Sequence, residues 1–370
     1  MTNKNFFMDL HIHVGRTFSG KPVKITASKQ LTLTNIIKEA KERKGLDIIG
    51  IIDCHVPEVI DELKQLVRLG EAVSLSGGGL SFGGLTLILG TEMEIYDDNC
   101  QGPIHVLCYF PDIDYMQAFS QWMSRYQKNM TLSSQRSYVS AVTLQKKVKE
   151  LEGLFIPAHI FTPYKSLYGK GVKESLTEVF DPALIDGVEL GLSSDTGMAD
   201  QVPELKPYTF LTNSDAHSLA KIGREYQQVL LAEADFRHVA LALKGKKKQH
   251  IVANYGLDPR LGKYHVEVSR RLAQLVEAQR KRMVSESVGK RRTRPDYIHQ
   301  VPLEFIPQLG PKGLERLLKH FGSEMKVLHE ATREELSQVV GPEVVEKILE
   351  ARAGKSRIRQ GGGGVYGKLS

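Results

Sequence analysis

Three short phrases place an acid or an imidazole two residues before a histidine: His11-Ile12-His13, Asp53-Cys54-His55 and Asp215-Ala216-His217. Each closes a run that reads as a β-strand. Strand side chains repeat every two residues, so the paired groups share one face, and Asp9 falls on the same face as His11 and His13. Three single residues sit at other strand ends: Glu92 after LTLILG, His105 opening HVLCYF and His159 closing LFIPAH. Imidazole and carboxylate donors without thiolates suit zinc, manganese, iron or magnesium. This donor supply fits two to three divalent ions, above all if a carboxylate such as Glu92 serves two of them. Clustered divalent ions are standard machinery for phosphodiester hydrolysis, since one acidifies a water and another steadies the leaving oxygen. A single His-X-His would be a weak signal. So many donors at strand ends is a stronger one, because burying them without a metal would be costly.

Strands and helices must alternate to bring these donors together. The pattern predicts strands over Phe6–Val14, Asp47–Cys54, Leu85–Glu94, His105–Phe110, Leu154–His159, Gly187–Leu192, Tyr208–Asn213 and Val229–Leu231. Helical periodicity falls between them at Leu33–Lys44, Glu58–Leu69, Tyr115–Tyr126, Val142–Leu151 and Ala234–Lys244. Such alternation argues for a parallel α/β architecture, and this many strands for a closed β/α barrel rather than an open sheet. The donors then lie at the carboxyl ends of the strands, the face on which such barrels build active sites. The glycine-rich SLSGGGLSFGG at residues 74–84 is no phosphate loop, since no Gly-Lys-Ser/Thr follows and the next element is a strand. A hairpin or flap is expected there.

Composition bounds the class. The 370 residues are 41% hydrophobic and 25% charged, enough for two or three domains. No apolar run is long enough to span a membrane, and the chain opens into a strand-like segment, so neither a membrane anchor nor a signal peptide is expected. Three cysteines (Cys54, Cys100, Cys108) build no disulfide framework, which suits a cytoplasmic location. Charge is lopsided. Residues 1–240 carry 24 Lys and Arg against 29 Asp and Glu, whereas residues 241–370 carry 26 against 14. Metal chemistry in front and polyanion binding behind is the natural reading. Behind a barrel over 1–256, the chain divides into a basic, largely helical connector (257–294), a small all-α unit (295–354) and a Gly-rich, disordered tail (355–370). In the helical unit, Gly310 and Gly313 in IPQLGPKG, and Gly341 in VVGPE about 30 residues on, sit at tight turns between helices. Free N–H groups at such helix starts bind phosphate. Arg16, Lys165, Lys170 and Arg224 flank the metal motifs and suit phosphate contacts. Trp122 suits packing better than base stacking.

DLHIHVG, IIDCH, GTEME, HVLCYF, PAHI and NSDAH resemble the successive motifs of the polymerase-and-histidinol-phosphatase (PHP) phosphoesterases. That resemblance implies a distorted β/α barrel with a trinuclear centre. His11, His13, Glu92 and Asp215 would hold one ion, Glu92, His105 and His159 a second, and Asp53, His55 and His217 the third. Catalysis would rest on His11, His13, Glu92, His159 and Asp215. A narrower resemblance rests on AHIFTPYKSLYGKG, VELGLSSDTGMAD, NSDAHSLAKIGRE and NYGLDPRLGKYH, which look like the endonuclease Q family. It implies nicking of damaged double-stranded DNA on the 5′ side of deaminated bases. By position, Gly15, Arg16, Tyr164, Ser166 and Tyr168 would line the base pocket. One departure stands out: the family's Cys-rich zinc finger is absent, and basic Arg270–Arg294 occupies its place. The two Gly turns resemble tandem helix-hairpin-helix DNA-binding modules, and replication or repair proteins are possible partners. Other readings are another PHP activity, either a proofreading exonuclease or a small-molecule phosphatase, and a non-catalytic metal-bound DNA scaffold.

Overall fold

The strands around the centre are buried on both faces and so read as near-continuous apolar runs. In Leu85–Ile95, ten of eleven residues are buried. The computed structural model describes residues 2–283, 292–361, 365 and 367–369. Its strands are β1 (Lys4–Ile12), β2 (Ile48–Ile51), β3 (Val73–Ser74), β4 (Leu80–Phe82), β5 (Leu85–Ile95), β6 (Ile104–Phe110) and β7 (Arg136–Ser137). They continue as β8 (Leu154–Pro157), β9 (Val188–Glu189), β10 (Phe210–Leu211), β11 (Tyr226–Leu231), β12 (His250–Gly256) and β13 (Asp296–His299). Every strand and helix expected in the front part is present, with shifted ends. The helix expected over Leu33–Lys44 is α-helical only to Lys38 and continues as a wider π-type turn. The glycine-rich segment is part of the β3–β4 hairpin.

The ring is an α/β barrel, but a mixed one. β1 pairs parallel with β2, and β2 parallel with β5. β6 then runs antiparallel to both β5 and β8. The reason is length: residues 96–103 between β5 and β6 are too few for the crossover of a dozen or more residues that a parallel pair needs. β9 and β10 form a separate parallel pair. Loose contacts close the circle. Ile160 N donates to Glu189 O (3.0 Å) on one side, and Ala216 exchanges bonds with His11 O (3.0 Å) and His13 N (3.1 Å) on the other. A core cluster of Met8, Leu10, Ile48, Ile88, Leu107, Tyr109, Ile156 and Leu211 draws on six of these strands, and helix Phe236–Leu243 packs against it. β11, β12 and β13 extend the sheet outward from β1.

The back part departs from the sequence reading in three places. Residues 296–299 are a strand of the main sheet, so the helices begin later, at Pro311–Phe321, Glu324–His329, Arg333–Ser337 and Pro342–Arg352. The described tail residues are not loose. Ile358–Arg359 pairs with Lys368–Leu369, and the N–H groups of Gly361 and Gly367 reach Arg260 O (2.7 Å) and Leu261 O (2.9 Å). The end of the basic stretch turns inward: Arg294 pairs with Asp200 (2.8 Å) and stacks on Phe210 at 3.6 Å, while Arg292 donates to Thr209 and the Leu243 carbonyl. Lys290 and Arg291 lie outside the described residues. Residues His265–Met283 form one long helix.

The C-terminal helices dock on the barrel through a buried pair, Lys44–Glu324 at 2.8 Å, and through His329. The His329 ring lies 4.4 Å from Phe7 and 4.8 Å from Tyr255, and its Nε2 is 2.6 Å from the Tyr226 hydroxyl. Burial, with Arg352 nearby, pushes the imidazole down to about 4. The unfolded chain therefore takes up this proton near pH 6.5 while the folded chain does not, so stability falls as pH drops from about 6.5 to 4. His329→Phe keeps the ring packing and removes the titration. Thermal unfolding between pH 4 and 7 should show a flatter pH dependence in the variant than in the wild type.

Candidate metal centre

The inversion of β6 places His105 at the start of its strand yet beside the end of β5, because Glu94 pairs with His105 in the ladder. Ala158 N then donates to His105 O (3.0 Å), which sets His159 next to it. His11 and His13 come from the end of β1, and Asp215 and His217 from the loop after β10. His11 and His13 approach the Glu92 carboxylate, which is buried on β5, and Asp215 stands against both rings. His11 Nε2 lies 3.3 Å from Asp215 Oδ1 and 3.6 Å from Glu92 Oε1. His13 Nε2 lies 3.5 Å from Asp215 Oδ1 and 3.7 Å from Glu92 Oε2. On the other side, Glu92 Oε1 is 2.8 Å from His105 Nδ1 and 3.5 Å from His159 Nε2.

These donors fit metal ions. The Nε2 atoms of His11 and His13 are buried and have no hydrogen-bond partner, although burying an imidazole nitrogen unpaired is costly. Two ligands of one tetrahedral ion with bonds of about 2.0–2.1 Å stand roughly 3.3–3.4 Å apart, close to the separations above. Two groups share Glu92: His11–His13–Glu92 and Glu92–His105–His159. A third, His13–Asp215–His217, opens toward solvent. The grouping of Glu233, Asp235 and His238 is a helix cap, with Asp235 accepting from His238 N (2.8 Å) and His238 Nδ1 (2.7 Å).

The electrostatics follow from that crowding. Burial alone would raise the Glu92 and Asp215 carboxyls, but the imidazoles around them, and Lys24 at Glu92, hold both well below the usual range. Burial would lower His11, yet Glu189, Asp215 and Glu92 push it up to about 10. A proton and a divalent ion thus compete for this ring. Burial holds His55 down at about 4, and it stays neutral.

Around these groups stands a layer that orients them. Glu189 was missed by sequence reasoning. Its two oxygens lie 3.0 and 3.1 Å from His11 Nδ1, which turns Nε2 toward the centre. The available signal was an acid at the end of a buried strand in VELG. Asp53 does the same for His13, with Oδ2 3.1 Å from Nδ1, and also accepts Val14 N (2.7 Å) and the Ser133 hydroxyl. Among the described residues, neither Asp53 nor His55 joins a donor group, so the expected Asp53–His55–His217 set is not assembled. His55 Nδ1 instead meets Thr91 Oγ1 at 2.7 Å. Asp9 shares no site with His11 and accepts Ser214 N (3.1 Å) and Gly223 N (3.0 Å).

Two members of the donor groups sit on left-handed backbone, His159 at φ 33° and Asp215 at φ 46°, a costly conformation for non-glycine residues. Gly191 makes room for the first, since a Cβ there would lie 2.6 Å from His159 Cβ. Arg224 braces the second through Ser214 O (2.8 Å) and Asp215 O (3.4 Å).

Above the centre opens a cavity of about 790 Å³. Glu92, His105, His159, Asp215 and His217 line it, together with Leu257, Leu261, Tyr264 and Phe305 and the cations Lys165, Lys221 and Arg224. Tyr164 and Lys165 are part of the lining as well. Lys170 sits 5.4 Å from the Tyr164 ring. Ser166 and Tyr168 do not line the cavity. Ser166 is buried and caps the turn at Gly169 N (3.1 Å), and the buried Tyr168 donates to Glu204 (2.7 Å). Gly15 is required by a close approach, because a Cβ there would meet Ser28 O at 2.0 Å. The Arg16 guanidinium turns back to Gly20 O. Trp122 packs between Phe119 and Tyr126. Gly310 and Gly341 immediately precede helices that begin with proline, and Gly313 lies in the first turn of one of them.

No family model matches the chain. The Bacillus subtilis "Uncharacterized protein YqxK" is 54% identical over 99% of both chains. The crystal structure of the lesion-specific endonuclease PfuEndoQ from Pyrococcus furiosus superposes with a TM-score of 0.83 at 29% identity, covering 99% of this chain and 95% of that one. A second endonuclease Q structure, in complex with a 27-mer duplex carrying an abasic lesion at its active site, superposes at 0.80 with 28% identity, covering 99% and 96%.

Because Glu189 fixes the orientation of a liganding ring, Glu189→Gln should weaken metal binding by about 10–100-fold while the fold persists. Competition with a chelating dye measures the affinity, and circular dichroism checks the fold.

Proposed function

The chain belongs to one family with Bacillus subtilis YqxK and has the fold of endonuclease Q, and from that premise we propose that it is a metal-dependent endodeoxyribonuclease of DNA repair. On this reading it nicks the strand 5′ of a deaminated base such as uracil or hypoxanthine, or of an abasic site. One observation carries the reading: two donor groups sharing Glu92 lie at the floor of a cavity with apolar walls and cationic groups. His11, His13, Glu92 and Asp215 would hold one divalent ion, and Glu92, His105 and His159 another. Zinc, manganese, magnesium and iron all suit these donors. When bound, such ions supply Lewis-acid chemistry, acidifying a water and steadying the departing oxygen of a phosphodiester.

The protein's own groups would do the rest. Lys165 and Arg224 face the cavity and suit the flanking phosphates. The apolar wall of Leu257, Leu261 and Tyr264 suits a base extruded from the stack, since the edge of a paired base cannot be reached inside a duplex. Helices that start just after Gly310 and Gly341 support a helix-hairpin-helix reading. Both glycines are exposed, with no atom within 4 Å of a would-be Cβ. Phosphate contacts there would hold any duplex without reading it. No described helix is long and apolar enough to cross a membrane. Replication or repair proteins as partners, and a cytoplasmic location, belong to the same proposal.

The decisive test uses end-labelled duplexes, each with one uracil, hypoxanthine or abasic site, incubated with Mn²⁺, Mg²⁺ or Zn²⁺ while the nick is mapped. Asp215→Asn and His159→Ala should lose cleavage by orders of magnitude and keep DNA affinity within a few-fold. Undiminished nicking by homogeneous Asp215→Asn would remove these donors from the chemistry.

A second prediction concerns the helix starts. Asp is a favoured helix cap, so Gly310→Asp with Gly341→Asp should fold normally. Each carboxylate would stand where a phosphate is proposed to bind. Affinity for damaged and undamaged duplex should fall by similar factors in a filter-binding assay, with the cut site unmoved.

A further inference from the structure

One stretch of the acidic front part is basic. Residues 115–149 hold six Lys and Arg and no Asp or Glu. Three of those cations, Arg125, Lys128 and Arg136, lie over tyrosine rings. The Arg136 guanidinium stands 4.7 Å from the centre of the Tyr96 ring and 5.1 Å from that of Tyr138. Lys128 Nζ lies 5.3 Å from the Tyr138 ring. Tyr96 and Tyr138 are 38% and 52% exposed, although aromatic side chains gain most from burial. Lys128 and Arg136 are exposed as well.

The group is held in place. Arg136 Nη2 donates to Tyr96 O (2.9 Å), and Tyr138 N to Tyr126 O (2.8 Å). Buried Gln127 donates to Gln135 O (3.4 Å) and to the Ser137 hydroxyl (3.3 Å), bracing the loop from inside. Side chains fixed in advance lose little freedom when a partner arrives.

Strand β5 sets the position of this group relative to the metal centre. Side chains alternate along a strand, so Glu92 and Glu94 share a face, and Arg136, paired with Glu94 on β7, continues it. Glu94 meets Lys165 (2.8 Å), which lines the cavity. Tyr96 follows four residues after Glu92, about 13 Å on at strand spacing. Two residues before Arg136, the Ser134 hydroxyl donates to Glu92. One loop therefore touches the centre at Ser134 and carries Arg136 and Tyr138 outward from it.

A nucleic-acid strand leaving the centre past Lys165 would reach these residues within a few nucleotides. Bases of any identity stack on aromatic rings and on guanidinium planes, and cations follow the phosphates. A base inside a duplex has both faces covered by its neighbours, so this surface suits an unpaired stretch. We propose that Tyr96, Arg136, Tyr138 and Lys128 form a binding surface for single-stranded nucleic acid, on which unpaired bases of the strand leaving the metal centre stack. The proposal rests on the endonuclease reading for that strand's link to the centre, but not for the binding itself.

The test uses the full chain and a short, fluorescently labelled oligothymidylate, with binding read by anisotropy. Tyr96→Ala with Tyr138→Ala should weaken binding at least about fivefold, the loss of base stacking. Tyr96→Phe with Tyr138→Phe keeps both rings and should retain the wild-type affinity. An abasic oligomer of equal length and charge should bind the wild type as weakly as oligothymidylate binds the double alanine variant. Oligothymidylate carrying 5-iodouracil should crosslink on irradiation to Tyr96 or Tyr138. Circular dichroism confirms that each variant is folded. Unchanged affinity in the double alanine variant, or equal wild-type affinity for the abasic oligomer and oligothymidylate, would overturn the proposal. So would an equal loss in the phenylalanine and alanine variants, or crosslinks confined to other residues. A wild type that binds and crosslinks as expected but cuts no damaged duplex would defeat the endonuclease reading alone.

Discussion

Everything in the centre depends on one buried carboxylate. Glu92 sits in a strand with both faces covered, where an uncompensated charge would be prohibitive. Its surroundings answer with His11, His105 and His159 at one oxygen and His13 and Lys24 at the other. Those same neighbours hold the carboxyl in its ionised form. A carboxylate so shared joins two donor groups into one centre, so the barrel strands that carry it and its partners cannot shift independently.

The sheet is shaped to deliver those partners. A short β5–β6 connection forces an antiparallel turn, and that turn swings the first residues of β6 to the end of β5 where the centre lies. Without the inversion, His105 would stand at the opposite end of the ring. The backbone also carries strain at His159 and Asp215, both left-handed and both in the donor groups. Gly191 and Arg224 hold that strain in place, and Asp9, buried beneath, ties down the Ser214 and Gly223 amides. Strain at liganding positions is expected where geometry must be set in advance rather than adopted on binding.

The periphery shows the same economy of cations. Arg292 and Arg294, at the end of the basic stretch, fasten the segment after the connector to the barrel wall. The tail, whose glycines suggest disorder, supplies Gly367, Lys368 and Leu369 to the cavity lining. Phe305, from the turn that leads into the C-terminal helices, lines it as well. The basic back part is therefore continuous with the mouth of the centre rather than tethered at a distance.

The sequence by itself determined the order of strands and helices, the chemical type of the donors and most of the residues that gather at the centre. Alternation every two residues and apolar runs are local signals, and His11, His13, Glu92, His159 and Asp215 stand where such signals end. Tertiary structure alone decided which donors meet. Asp53 follows the same Asp-X-His spacing as Asp215, yet it orients a histidine while Asp215 lies among the donors. Glu189 reaches His11 across 178 residues, and Lys24 reaches Glu92 across 68. Ser166 and Tyr168 sit beside Tyr164 in the chain but turn into the core. Spacing along a strand tells which side chains share a face. It carries no information about which distant segment will cover that face, because that is set by strand order, strand direction and the packing of the closed ring.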